Sequence, residues 1–306
     1  MSDRVVVRIA QLAPALGDVP TNLERMLSAA RDAAANGVDL LVFPELALTG
    51  YALRDHVPEV AIPLDSPEMN ALREASRGVS IAFGFVEETP DHRFFNSAAY
   101  LEHGEIVHVH RKVHLPTYGL FEEGRYFASG ESVRAFETRF GRFAMLVCED
   151  VWHLPIPYLA ALDGAIALLV LSAGPTRGLD HEGHAKSSSA WERLLLTYAS
   201  SLTMYVVYAN RVGFDDGVEF WGGSEIVDPA GTVALKGRYH DPDQPTAPID
   251  LDLVRRERIQ TPLLRDERLP LVIAELARIQ EKRRETLPGL SAEDRQRTES
   301  SAEERE

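Results

Sequence analysis

Apolar residues along this chain fall in short unbroken runs separated by amphipathic stretches. Val5 to Ala10 reads as a strand. A helix is predicted from near Thr21, where Thr21-Asn22-Leu23-Glu24 has the spacing of a capping box, to a stop at Asn36-Gly37. Val38 to Phe43 is short and apolar enough for a buried strand, Ser66 to Arg77 for a helix, and Ser80 to Val86 for another strand. Ser97 to Leu101 and Ile106 to His110 face each other across the turn Glu102-His103-Gly104-Glu105, the pattern of a hairpin. Arg142 to Cys148 and Ala165 to Ser172 are two further apolar strands, with a helical stretch around Tyr158 to Leu162 between them. Helix Ser188 to Ser201 and strand Tyr205 to Asn210 repeat the rhythm. A second hairpin, Ser224 to Asp228 with Gly231 to Leu235, turns at Pro229-Ala230-Gly231, and Ile249 to Leu253 reads as a last strand.

Strands bracketed by helices predict an α/β layered fold, and the interspersed hairpins require mixed sheets. No linker or internal repeat interrupts residues 1–286, which read as one domain. Residues 287–306 turn polar and charged, the composition of a disordered tail.

Composition narrows the function classes. The chain has 306 residues, 45% of them hydrophobic, and a formal net charge of -15. That charge opposes non-specific nucleic-acid binding, which needs a Lys/Arg surplus. No apolar run approaches the ~20 residues of a membrane span, and Met1-Ser2-Asp3-Arg4 leads directly into a strand without a signal-peptide core, so a cytoplasmic location is expected. The single cysteine excludes an intramolecular disulfide and a multi-cysteine metal site.

A lone cysteine is more often packing than chemistry. Here its context matters: three reactive side chains each sit just after a strand. Glu45 follows Leu40 to Pro44, Lys112 follows Ile106 to His110, and Cys148 follows Phe143 to Val147. Ligands of open α/β sheets gather outside the carboxyl ends of strands, so the three are expected to converge.

Phe43-Pro44-Glu45-Leu46, Arg111-Lys112-Val113-His114-Leu115-Pro116 and Val147-Cys148-Glu149-Asp150 resemble the three signature segments of the nitrilase superfamily of carbon–nitrogen hydrolases. The likeness covers roughly residues 4 to 255. It is strongest to the glutaminase domain of glutamine-dependent NAD synthetases, in Leu48-Thr49-Gly50-Tyr51, Phe121-Glu122-Glu123-Gly124-Arg125-Tyr126-Phe127 and Cys148-Glu149-Asp150-Val151-Trp152. The resemblance implies a four-layer α-β-β-α sandwich with two mixed β-sheets. It implies Glu45 as general base, Lys112 as cationic stabiliser, Cys148 as nucleophile, and Glu123 as the second glutamate beside the lysine. Among substrate-binding positions it implies Tyr118, Trp152, and Glu149 with Ser172 for a substrate amino group. No metal or cofactor is required. An amide carbon is a poor electrophile, so the thiol must be activated and the oxyanion stabilised; the Lys112 ammonium would favour the thiolate and Glu45 would take the proton as attack begins.

The match decays at Gly174-Pro175-Thr176-Arg177-Gly178, where Arg177 is a candidate for gripping a substrate carboxylate. His181-Glu182-Gly183-His184 lacks the four-residue spacing of a zinc helix. His110 and His114 flank Lys112, but a Cys-His scheme gives Glu45 and Lys112 no role. Neither a phosphate loop nor an ATP-pyrophosphatase loop appears in these residues, so the chain is not expected to make NAD by itself.

These residues predict a hydrolase of linear amides working through a thioester. An N-carbamoyl-amine hydrolase, or a glutaminase subunit supplying a separate synthetase partner, belongs to the same chemistry; an inactive ligand-binding or scaffold protein is the reading from another class. A homodimer or higher even oligomer is expected, because Trp191, Leu194, Leu195, Leu196 and Tyr198 offer more apolar surface than one helix face can bury, with the segment after Arg255 as a second contact.

Overall fold

The computed structural model describes residues 4–178 and 186–286. His181-Glu182-Gly183-His184 and the expected tail 287–306 lie outside the described residues. In chain order the elements are β1 (Arg4–Ile9), α1 (Val19–Ala35), β2 (Leu40–Val42), α2 (Val57–Val60), α3 (Pro67–Ala75), β3 (Ser80–Glu88), β4 (Phe94–Glu102), β5 (Glu105–Arg111) and α4 (Glu123–Tyr126). They continue with β6 (Ala135–Thr138), β7 (Gly141–Val147), α5 (Pro155–Leu162), β8 (Ala167–Ser172), α6 (Lys186–Ser201), β9 (Tyr205–Asn210), β10 (Val212–Asp215) and β11 (Val218–Trp221). Last come β12 (Glu225–Val227), β13 (Val233–Lys236), β14 (Thr246–Asp250), α7 (Asp252–Gln260) and α8 (Leu269–Thr286). Two compact units divide at Leu264, and α8 lies in the second. No described helix is long and apolar enough to cross a membrane.

The first unit is built on two six-stranded sheets, ordered β14-β1-β2-β3-β4-β5 and β13-β12-β9-β8-β7-β6, with β10 and β11 as a separate hairpin. Each has a parallel centre, β1-β2-β3 and β7-β8-β9, flanked by antiparallel partners. Both sheets are therefore mixed. The unbroken apolar runs have a simple cause, because alternate residues of one strand enter different cores. On β7, Phe143, Met145 and Val147 join Val7, Ile9, Val42 and Ala82 between the sheets, while Ala144 and Leu146 turn outward to α5 and α6. On the other sheet, Leu41, Ile81 and Phe83 turn outward to Met26, Ala30 and Ala33 of α1 and to Met69 and Leu72 of α3. The layering is α-β-β-α, as expected.

Several local expectations change. Helix α1 starts at Val19 with Asp18 as its cap, the carboxylate accepting Thr21 N at 3.1 Å, rather than with a box at Thr21. Pro20 suits a first helical turn, where its missing N–H is no loss, and Asn22 is buried, bonded to Ala15 and Leu48. The β4–β5 turn narrows to His103-Gly104, both with positive φ (54° and 86°), the two-residue geometry that matches strand twist. The last strand ends at Asp250 and helix α7 begins at Asp252, where a strand through Leu253 was expected. Trp191, Leu195 and Tyr198 of α6 are buried in the chain's own core, with Leu194 and Leu196 packed against it. Those side chains leave no surplus face, so the argument for pairing through α6 falls; Ile259 and Leu263, after Arg255, are exposed.

One close approach aims the site. A Cβ on Gly84 of β3 would stand 2.4 Å from Leu46 N and 2.8 Å from Glu45 Cα. Only glycine lets the Glu45 segment lie against that strand. Gly84→Ala is therefore expected to displace Glu45 and to destabilise the fold by about 1–3 kcal/mol, the usual range for overpacking. An unchanged denaturation midpoint would contradict this close approach.

Candidate active site

Glu45, Lys112 and Cys148 follow β2, β5 and β7. Strand β5 runs antiparallel to β4, which runs antiparallel to β3, so β5 ends at the same edge of its sheet as β2. The face-to-face packing brings these ends to the end of β7. Cys148 has φ of 42°, a left-handed conformation that opposes its side chain and costs on the order of 1–2 kcal/mol. This strained residue opens a short 3-10 helix, Cys148–Trp152, directly after β7, and that turn presents the thiol.

Lys112 is 1% exposed and points inward. Its Nζ lies 2.8 Å from Glu45 Oε1 and 2.7 Å from Glu123 Oε1. Glu45 receives two more donors, Asn96 Nδ2 at 2.8 Å and the backbone N–H of Ala173 at 2.7 Å. Glu123 also accepts the Tyr51 hydroxyl at 2.5 Å, while its Oε2 is buried without a hydrogen-bond partner. Ser172 Oγ donates to Cys148 Sγ at 3.4 Å and lies within reach of the Tyr208 hydroxyl at 3.3 Å.

Charge in this enclosure is balanced by proximity. Burial alone would drive the Lys112 ammonium to lose its proton, but Glu123 and Glu45 hold its pKa well above the usual lysine value. Burial pushes the Glu123 carboxyl up to about 7 against the pull of Lys112. Burial and the Glu45 carboxylate raise the Cys148 thiol well above its ordinary pKa, outweighing Lys112. Lys112 thus lowers the thiol's pKa, as expected of an ammonium, but does not outweigh burial and Glu45.

Asp150 ties the parts together. It is fully buried, with Oδ1 accepting the backbone N–H groups of Val113 and His114, each at 2.9 Å, and Oδ2 facing His110 Nε2 at 2.8 Å and Val147 N at 3.3 Å. One carboxylate therefore joins the chain beside Lys112 to the chain before Cys148. Burial opposes its charge, but His110 and His114 outweigh burial and hold it well below the usual carboxylate range. His110 belongs to Asp150 and leaves no Cys-His pairing.

A cavity of about 290 Å³ opens at Cys148, lined by Tyr118, Phe121, Glu149, Trp152, Arg177, Lys186 and Trp191. The Tyr118 hydroxyl donates to both Glu149 oxygens, at 3.0 and 3.1 Å. Trp152 meets Trp191 edge-on at 5.0 Å. The Arg177 guanidinium stands 5.8 Å from the Tyr118 ring centre and 5.5 Å from that of Phe121. Of the expected pocket residues only Ser172 is elsewhere: it is buried behind the sulfur and is not part of the cavity wall. A second cavity of about 320 Å³, beyond Phe121, is lined by Tyr51 and Glu123 and does not reach Cys148. Asn96, Asp150, Tyr51 and Tyr208 had no role in the sequence reading. Tyr51 and Asp150 sit inside quoted motifs; nothing local marks Asn96 or Tyr208.

Known proteins share this arrangement of chain. The carbon-nitrogen hydrolase family model matches residues 6–258. A glutamine-dependent NAD(+) synthetase of Thermotoga maritima is 32% identical over 91% of this chain, which spans about half of that protein (48%). An (R)-stereoselective amidase of Pseudomonas sp. is 32% identical over 93% of this chain and 99% of its own length. Among solved structures, a mutant amidase of Nesterenkonia sp. AN1, with the acetamide moiety of fluoroacetamide added at its active-site cysteine, is 25% identical, with a TM-score of 0.73 over 88% of this chain and 96% of its own. The chain belongs to the carbon-nitrogen hydrolase family.

Proposed function

We propose that this protein hydrolyses linear amides through a thioester on Cys148. The observation that carries the reading is the buried Lys112 ammonium clasped between Glu45 and Glu123, beside a thiol that opens on a cavity. As Cys148 Sγ attacks the carbonyl carbon, Glu45 takes the thiol proton. Charge developing on the carbonyl oxygen is received by Lys112 and the backbone N–H of Glu149. Glu45 passes its proton to the leaving nitrogen, the C–N bond breaks, and ammonia or an amine departs. Water activated by Glu45 then attacks the thioester and returns the thiol. Fixing Glu45 with three donors suits a group that must act twice in one orientation.

The cavity supports a substrate with charge of both signs. Glu149 offers a carboxylate, Arg177 and Lys186 two cations, and Trp152, Phe121 and Trp191 an apolar wall. An amide of a small amino or dicarboxylic acid meets all three. The likeness to NAD(+) synthetases supports glutamine within that class, with ammonia passed to a separate synthetase as one use of the product; the end-to-end match to an amidase supports a free-standing hydrolase.

Cys148→Ala is expected to abolish ammonia release while leaving the circular dichroism and melting curve intact, and Cys148→Ser to be nearly inactive. More than about a tenth of wild-type rate in the alanine variant would refute the nucleophile, since losing one costs far more. Arg177→Ala should lower kcat/KM for a carboxylate-bearing amide about tenfold or more, through KM, as expected for a lost charge-assisted hydrogen bond of ~1.5 kcal/mol or more. A neutral aliphatic amide should be little affected. Equal losses on both substrates would remove Arg177 from substrate recognition.

A further inference from the structure

One buried ion pair takes no part in the chemistry above. Arg211, just after β9, is fully enclosed, and its guanidinium lies 4.3 Å from the centre of the Phe220 ring. It grips the carboxylate of Asp215, at the end of β10, with both terminal nitrogens, Nη2 to Oδ1 at 2.9 Å and Nη1 to Oδ2. Asp215 Oδ2 also accepts the backbone N–H of Tyr51 at 2.9 Å, 164 residues away in sequence. Tyr51 lies in the loop after Glu45, outside any strand, so that buried amide has no ladder to satisfy it. Its hydroxyl reaches Glu123 at 2.5 Å, and its ring meets Phe220 and Phe121 edge-on at 5.9 and 6.4 Å.

A buried ion pair adds little net stability over well-packed apolar residues of the same size. What this pair supplies is a fixed point: a carboxylate held rigidly by a planar, bidentate guanidinium. We propose that Arg211 and Asp215 are positioning residues for amide hydrolysis, setting Tyr51 so that its hydroxyl holds Glu123, and Glu123 holds Lys112, in the reactive arrangement. The proposal rests on the reading that Lys112 and Glu123 serve the reaction. It assigns the β10–β11 hairpin a task in turnover, although it contributes no side chain to the cavity at Cys148 apart from this chain of contacts.

The test compares two charge-neutral double variants, so that neither leaves a lone buried ion. Arg211→Met/Asp215→Asn keeps an oxygen acceptor for Tyr51 N; Arg211→Met/Asp215→Leu removes it. Both are expected to fold, the Leu variant melting somewhat lower because Tyr51 N loses its acceptor. The Leu variant should lose about a hundredfold in kcat, the scale of a misplaced catalytic group, with KM little changed, while the Asn variant stays within about tenfold of wild type. Equal kcat values in the two folded variants would overturn the proposal. If the Leu variant does not fold, Arg211→Met/Asp215→Ala is held against the Asn variant by the same criterion. Failure of the hydrolase reading itself would show separately, as amide turnover that survives Cys148→Ala.

Discussion

A lysine ammonium with no access to water is the constraint from which the rest of this structure follows. Removing such a charge from solvent carries a penalty of several kcal/mol, met only where opposite charge and hydrogen bonds surround it closely. Lys112 is met by Glu45 on one side and Glu123 on the other. Two carboxylates in one enclosure would repel each other, and each in turn is held by donors: Asn96 and Ala173 N for Glu45, Tyr51 for Glu123. The network spreads outward in this way until it reaches residues whose only business is to hold others. Each ring of contacts makes the inner one rigid, and rigidity is what a proton-transferring group needs.

Much of this was legible in the sequence, and the reasons differ by residue. Leu40 to Phe43, Phe143 to Val147 and Ala165 to Ser172 announced buried strands because both faces of each sheet are covered. Glu45, Lys112 and Cys148 could be grouped because each directly follows a strand. Short β6 and the β10–β11 hairpin passed unseen, since three or four residues carry too little periodicity to register. The cap at Asp18 was misread because Thr21 and Glu24 imitate a start signal that Pro20 moves two residues upstream. Asn96 and Tyr208, and the hold of Asp215 on Tyr51, were invisible because those contacts join positions far apart in sequence, whereas Arg211 and Asp215 are only four residues apart and meet in a hairpin too short to announce itself. The direction in which the Cys148 pKa moves could not be read either: it depends on how burial and two carboxylates compare with one ammonium, a balance that residue identities alone do not state.

The division of labour between sheets also separates stability from specificity. Apolar side chains at the strand centres bind the layers together, whereas the polar groups lie at strand ends and in the loops beyond them. The loop carrying Arg177 lies over the rings of Tyr118 and Phe121 and has no share in the inter-sheet core. The sequence of this loop can therefore change without disturbing the scaffold. Relatives that act within a synthetase and relatives that stand alone as amidases are compatible with one framework on those terms.

The two carboxylates and the lysine come with one sheet, and the cysteine comes with the other. The upward shift of the thiol's pKa comes from burial and from Glu45, and so depends on the two layers being docked. If the layers part, water reaches the sulfur and the carboxylate recedes, so the cysteine reverts toward an ordinary, more easily ionised thiol. Alkylation by a small, unselective reagent should then run faster in partly opened molecules than in native ones. The chain's single thiol is thereby a gauge of whether the sandwich is shut.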